Sequence, residues 1–513
     1  MKRFFKDIKF IDVLPYIVFL IAMIVVISLK FDYHVDETLT YSLSNNSDPI
    51  YYMEPEEGYR YEPSIQPYID YLSVKPGESF SYSIPYFKQV NESHPPIYYA
   101  LVHTVSSLFP GSFSRWYAGA VNIIFALGTL FVLRRIVELL TDNKLIKNCL
   151  TWGFISCYAV LSEVSFFRMY VVTLFLTTLT TYIFMWQLQS NRGKWFYILA
   201  SFVVLVGALT YYGTLIFSLA ICVTYGIYLL INKRWKDVFK FVGGMAIAGT
   251  LAIGIFPIII RHVFGKGRGG EAIGNMFNLS DYMDRLKSFI GFYNDFVFGR
   301  ILLVLLIVLI ILIVYAHKQD KLLIDKKKAM YYIILVVPSL AFFLIASKSA
   351  PYYEERYTSL TYANAYIGII CPLLILLNKL FEKKLANILS ICLIVVISAI
   401  GLTTNRWQYL YRWEMPRFEP LEEYKECDAI CIHGGETWRL NTYIIELSNY
   451  NSVTFIEASD LDLYNLEDFI TTKNGIVVLA GIMDDNVMND VMKHLPSYSG
   501  YKYISERSFH IYR

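Results

Sequence analysis

Long apolar runs recur eleven times before residue 403, and they restrict this chain more than any other feature. They lie at 11–29, 116–133, 149–165, 169–187, 195–211, 214–231, 241–260, 301–316, 330–346, 358–378 and 385–402. A helix needs about 20 mostly apolar residues to cross a hydrocarbon core about 30 Å thick. Lipid offers a strand edge or a coil no partner for its N–H and C=O groups, so runs of this length read as membrane helices. The composition agrees: 55% of the residues are hydrophobic and only 17% are charged, against about 25% charged in soluble domains. The expected fold class is a polytopic α-helical membrane protein of about eleven spans, filling residues 1–402.

Lysine and arginine accumulate in cytoplasmic loops. With the N-terminus inside, the basic segments Lys2–Lys9, Arg134–Lys147, Arg192–Lys194, Lys233–Lys240, Lys318–Lys328 and Lys379–Lys384 all fall on that side. The loop 30–115 falls on the other side and is rich in Asp and Glu. An odd number of spans places the C-terminal segment outside as well. The first run, with no cleavage site after it, reads as a retained anchor. The net charge of +3 is too small to argue for a nucleic-acid partner. Cys157, Cys222, Cys371 and Cys392 sit inside apolar runs and act as small hydrophobes, while Cys427 and Cys431 are four apart on an expected strand, too far to bridge within it. No spacing demands a metal.

The outside loop opens on His34-Val35-Asp36-Glu37-Thr38 and closes on His94-Pro95-Pro96. Residues 97–109 are too few to span and are expected to form a helix lying at the interface. Tyr51, Tyr52, Tyr59, Tyr61, Tyr68 and Tyr71 either anchor the loop in the headgroup zone or stack on sugar. A second outside loop, 262–300, holds Gly265, Gly267, Gly269 and Gly270 among Lys266 and Arg268; it reads as a flexible connector, with phosphate wrapping as the alternative. From 403 to 513 the pattern changes to a small α/β domain. Strands are expected at Ala429–His433, Ser452–Glu457 and Gly475–Ala480, helices at 437–449, 463–472 and 486–494, and a strand pair at the end. His433-Gly434-Gly435-Glu436 is either plain punctuation or an anion-binding turn.

Asp36 and Glu37 are the sharpest chemical feature. Ionised carboxylates at a bilayer surface are costly to shield from water unless a cation or a function compensates. Glycosyl transfer to a hydroxyl needs a base for the acceptor's proton. A lipid-phosphate leaving group needs cations, and His94, Arg168 and Arg356 lie on the same side. Arginine's planar fork suits phosphate oxygens. The bland alternatives stay open: a solvated helix end for Asp36-Glu37, ion pairs of Arg168 with Glu163 and of Arg356 with Glu354 or Glu355, and a rigid turn at His94-Pro95-Pro96.

An inside N-terminus, Asp36-Glu37 after the first span, and His94-Pro95-Pro96-Ile97-Tyr98-Tyr99 leading into an interfacial helix together resemble the GT-C glycosyltransferases. The nearest branch is the family 39-like group of protein O-mannosyltransferases and lipid A aminoarabinose transferases. The resemblance covers about residues 10–400. It implies a polyprenyl-phosphate sugar as donor, a protein, lipid or glycan acceptor, and membrane lipids as surroundings. It implies Asp36 as catalytic base with Glu37 supporting it, and His94, Arg168, Tyr170 and Arg356 at the donor phosphate. The group's mannosyltransferases carry a larger soluble insertion than this chain has, and its lipid A enzymes tend to have lysine where this chain has His94. No cofactor is implied; metal dependence varies in the superfamily, which leaves a divalent cation compatible. The competing classes are a flippase and a polymerase or ligase for lipid-linked glycans. A flippase should carry charges deep in several spans, whereas here charges cluster at span ends; a polymerase or ligase should have its large loop late in the chain, and here the long loop comes first.

Overall fold

The computed structural model describes residues 10–48, 55–62, 64–265, 267–278, 280–321, 325–412, 415, 421–482, 486–505 and 507–513. Lys2, Arg3, Lys6, Lys9, Tyr51, Tyr52 and Lys266, all used in the reading above, lie outside them. The chain divides into two compact units: Met1–Ser28, Gln89–Tyr98 and Ala118–Trp407 form one, and Leu29–Lys88, Tyr99–Tyr117 and Gln408–Arg513 form the other.

The first unit is helical, and every apolar run falls on helical segments. Among the described residues, six helices are each long and apolar enough to cross a membrane, or up to eight if each of two bent pairs counts as one span. Lys194–Ala208 has 15 residues, about 22 Å of helix, short of the hydrocarbon thickness. Arg115–Leu140 is long but carries Arg134, Arg135 and Glu138 in its final third. The segment Leu302–Lys318 turns large apolar side chains outward, Leu303 and Ile310 among them, which in lipid costs nothing and in water would. This is an integral membrane protein.

The bent pair Tyr282–Val297 and Leu302–Lys318 meets at 84°. Gly299 makes the corner: its φ is +57°, and a Cβ there would lie 2.5 Å from the carbonyl oxygen of Ile397. The loop 262–300 departs from the connector expected of it. It holds helices Ile259–Phe264, Arg268–Phe277 and Tyr282–Phe292. A side chain at Gly269 would strike the carbonyls of His262 and Val263. Its glycine serves close packing of successive helices.

The second unit is built on a six-stranded sheet of order β1-β3-β2-β4-β6-β5, with β1 Arg60–Tyr61, β2 Asp428–His433, β3 Ser452–Glu457, β4 Gly475–Ala480, β5 Gly500–Ser505 and β6 Ser508–Tyr512. β2 pairs in parallel with β3 and β4, and Cys431 stands opposite both Phe455 and Val478. Side chains alternate across the sheet: Ile430, Ile432, Val477 and Leu479 pack with Val491 and Leu495, while Ala429, Cys431, Phe455 and Val478 pack with Leu440 and Leu447 on the other face. The expected strands and the terminal pair are present. The expected helices at 437–449 and 463–472 are mostly 3₁₀ turns, with one short α-helix at Ile444–Leu447. Asp, Asn and Ser compete there for backbone hydrogen bonds and favour turns over continuous helix.

β1 comes from the loop 30–115 and was not expected. It pairs antiparallel with β3, Arg60 opposite Thr454. The Arg60 guanidinium donates to Asp428 at 2.7 Å, and Asn451, Ser452, Thr471 and Thr472 donate to the same fully buried carboxylate. Tyr68 and Tyr71 are also buried in this unit. They serve its interior rather than a lipid surface.

Candidate functional site

The carboxylate turn begins at His34, six residues past the end of the helix Phe10–Ser28. His34 starts the helix Val35–Asn45 with a reciprocal cap. Its Nδ1 accepts from the Asp36 N–H at 3.1 Å, and the Glu37 carboxylate accepts from the His34 N–H at 2.7 Å. With Nδ1 accepting, the proton of the neutral imidazole is on Nε2. Glu37 is fully buried and 2.9 Å from the Lys30 ammonium, which also donates to the Tyr409 carbonyl and lies 5.2 Å from the Tyr411 ring centre. Burial pulls the Lys30 pKa down, and the adjacent Glu37 carboxylate opposes that shift. Asp36 points elsewhere: its side chain is 27% exposed, with one oxygen 3.7 Å from His34 Nδ1. The two carboxylates therefore have different chemistry. Glu37 is buried in an ion pair, and Asp36 is partly exposed.

The arginine turn lies in the membrane unit, between the helices Tyr158–Val164 and Tyr170–Gln189. Asn122 holds it, its amide donating to the carbonyls of Val164 and Phe166 at 3.1 and 2.9 Å and accepting from the Tyr98 hydroxyl at 3.2 Å. Arg168 is 95% buried there, at 5% exposure. The Phe166 and Tyr170 rings stack at 5.9 Å, and the Arg356 guanidinium lies 5.6 Å from the Phe166 ring centre. Arg356 also pairs with Glu354 at 2.5 Å, so the ion-pair reading of that arginine is realised. The Tyr211 ring stands 5.8 Å from Tyr170 and 6.4 Å from His94, within electrostatic reach of Arg168 and Arg356. Gly213 lets that ring fold back, since a Cβ there would run into it. The Ile97 N–H donates to the Leu209 carbonyl at 3.0 Å, fixing the diproline turn beside it.

His94, Arg168 with its near neighbour Tyr170, and Arg356, from three segments far apart in sequence, thus share one aromatic cluster. Asp36 and Glu37 belong to the other unit. Sequence reading passed over Lys30, Asn122, Phe166 and Tyr211. An amide inside an apolar run was the available signal for Asn122; Lys30 looked like an ordinary flanking charge. The His433-Gly434-Gly435-Glu436 turn is no anion site: the Glu57 carboxylate lies 3.6 Å from His433 Nε2, and Glu457 crowds Gly435. No group of three or more His, Cys, Asp or Glu suited to a metal occurs among the described residues.

No protein-family model and no curated protein matches the chain. Among solved structures, ArnT from Cupriavidus metallidurans bound to undecaprenyl phosphate superposes with a TM-score of 0.51 and 11% identity, over 97% of each chain. Apo ArnT gives 0.48 at 10% identity over the same shares. The archaeal oligosaccharyltransferase AglB from Archaeoglobus fulgidus, in complex with an inhibitory peptide and a dolichol-phosphate, gives 0.43 at 11%, over 97% of this chain and 74% of its own. Identity this low speaks for the fold alone: over nearly its whole length the chain is similar in fold to ArnT.

Proposed function

We propose that the protein transfers a sugar from a polyprenyl-phosphate donor to a hydroxyl of a protein, lipid or glycan acceptor, on the extracytoplasmic side of the membrane. In this reading all eleven apolar runs contribute spans, with the N-terminus inside. Asp36 takes the acceptor hydroxyl's proton as its oxygen attacks the anomeric carbon. The bond from that carbon to the phosphate oxygen breaks, the configuration inverts, and the polyprenyl phosphate leaves. Arg168 and Arg356 balance the charge of the leaving phosphate, and Tyr170 and His94 supply donors to its oxygens. Glu37 holds the turn that presents Asp36. No metal step is invoked.

The observation that supports this reading is the gathering of phosphate candidates from three distant segments, His94, Arg168 with Tyr170, and Arg356, around one aromatic cluster. The test is mass spectrometry of lipids that co-purify with wild type and with Arg168→Ala. A polyprenyl phosphate or its glycosyl ester, present in wild type and lost in the variant, is the expected result. A lipid-diphosphate oligosaccharide instead would favour a flippase or ligase, and ordinary phospholipids unchanged by the substitution would remove the phosphate assignment.

A further inference from the structure

A second cationic cluster stands apart in sequence from the residues assigned above. Lys348, in the last turn of helix Lys326–Ser349, and Arg285, in helix Tyr282–Phe292, are both 93% buried, at 7% exposure each. Arg285 is satisfied: its Nε donates to Asp281 at 2.5 Å and its Nη1 to the Ala350 carbonyl at 2.6 Å, with the Tyr353 ring centre 4.9 Å away. Lys348 is not. Its ammonium is held by charge alone, with an Asp281 oxygen 3.5 Å off and the Tyr282 ring centre 5.4 Å away, and has no hydrogen-bond acceptor among the described residues; that oxygen itself accepts no hydrogen bond there. Neighbouring charges cancel, Arg268 with Glu271 and Lys287 with Asp284. Two cations against one carboxylate leave a surplus of one positive charge, and a buried ammonium is unfavourable without acceptors.

Leu340, Leu344 and Lys348 follow at intervals of four, on one helix face. Leu340 lines an apolar cleft of about 220 Å³ together with Ile290, Phe343 and Ile369. Lys348 follows Leu340 by eight residues, about 12 Å of helix rise. An apolar cleft on the same helix as a buried cation short of acceptors matches an amphiphile with one negative charge.

We infer that the Lys348–Arg285 cluster binds the phosphoryl group of a membrane lipid whose chain occupies this cleft, the oxyanion supplying the acceptors that Lys348 lacks. The inference requires only that the chain sits in a bilayer and does not rest on the transferase reading.

The experiment is native mass spectrometry of the full-length protein in mild detergent, titrated separately with phosphatidylglycerol and with polyprenyl phosphate. Lys348→Gln should weaken phosphatidylglycerol binding at least about 10-fold, whereas Lys348→Arg should retain it within about 3-fold. Leu340→Trp, which fills the cleft without touching the charge, should also weaken it, and this arm serves if Lys348→Gln fails to fold. Polyprenyl phosphate should bind all three as it binds wild type. Selective loss of polyprenyl phosphate in Lys348→Gln would support the phosphoryl site and name the carrier lipid as its source. Unchanged binding of both lipids in Lys348→Gln and Leu340→Trp would overturn the inference.

Discussion

The carboxylate turn and the arginine turn each follow a helix of the membrane class, and each presents a charged side chain. They are held by opposite means. In the first, a fully buried ion pair, Lys30 with Glu37, fixes the backbone. In the second, a neutral amide, Asn122, ties two carbonyls and a tyrosine hydroxyl. A buried ion pair is costly to break on one side only, because the remaining charge stays uncompensated. A lost amide leaves only neutral carbonyls unsatisfied, a smaller cost. The pair at the first turn cancels its own charge, while the neighbouring Asp36 side chain is 27% exposed.

The largest effect should fall on Asp36. Asp36→Asn is expected to lower turnover about 10³-fold or more, with thermal stability and lipid retention close to wild type. Turnover within a few-fold of wild type would end its assignment as base. Glu37→Gln should instead destabilise the protein by about 3–4 kcal/mol by stranding Lys30, seen as a lower melting temperature. Lys30→Met combined with Glu37→Gln should recover much of that loss. A double variant no more stable than the single one would mean that charge stranding is not the cause.

Asn122→Ala should cost about 2 kcal/mol and loosen the arginine turn, read as a stability loss together with weaker polyprenyl-phosphate retention. A stability loss with full retention would separate Asn122 from the phosphate cluster. A third buried carboxylate extends the comparison. Burial pushes the Asp428 pKa up, but hydrogen bonds from Ser452, Thr471 and Asn451 outweigh this and hold it at about 2. Its folded pKa lies below the unfolded value of about 3.9, so its contribution is present above about pH 4 and is lost as the pH falls toward 2. The amount is about 2 kcal/mol, and Asp428→Asn should flatten the acid limb of the stability profile over that window. An unchanged acid limb would contradict the assignment.

Much of the architecture was legible, because apolar length and period-two alternation report what a segment can bury. Every apolar run lies on helical segments, and the strands at 429–433, 452–457 and 475–480 fall within a residue of their expected ends. The 262–300 loop misled because glycine permits both mobility and close approach, and only neighbours such as the His262 and Val263 carbonyls decide between them. β1 was invisible: two residues carry no pattern, and pairing with β3 is a long-range event. The site was half legible. Residue type marked Asp36, His94, Arg168 and Arg356 as chemistry, but their partners Lys30, Asn122, Phe166 and Tyr211 are ordinary residues until the chain folds.

The sequence by itself determined that this chain lives in a membrane as helices, that a small α/β domain with three parallel strands follows them, and that carboxylates and cations gather near span ends. These properties follow from local composition, which acts through solvation before any tertiary contact forms. Only the tertiary structure decided that Glu37 is buried against Lys30 while Asp36 is partly exposed, that residues from three distant segments share one aromatic cluster, and that Lys348 is buried with no hydrogen-bond acceptor among the described residues. Each of those depends on which distant groups come within hydrogen-bonding reach, and nothing short of the folded chain sets such distances.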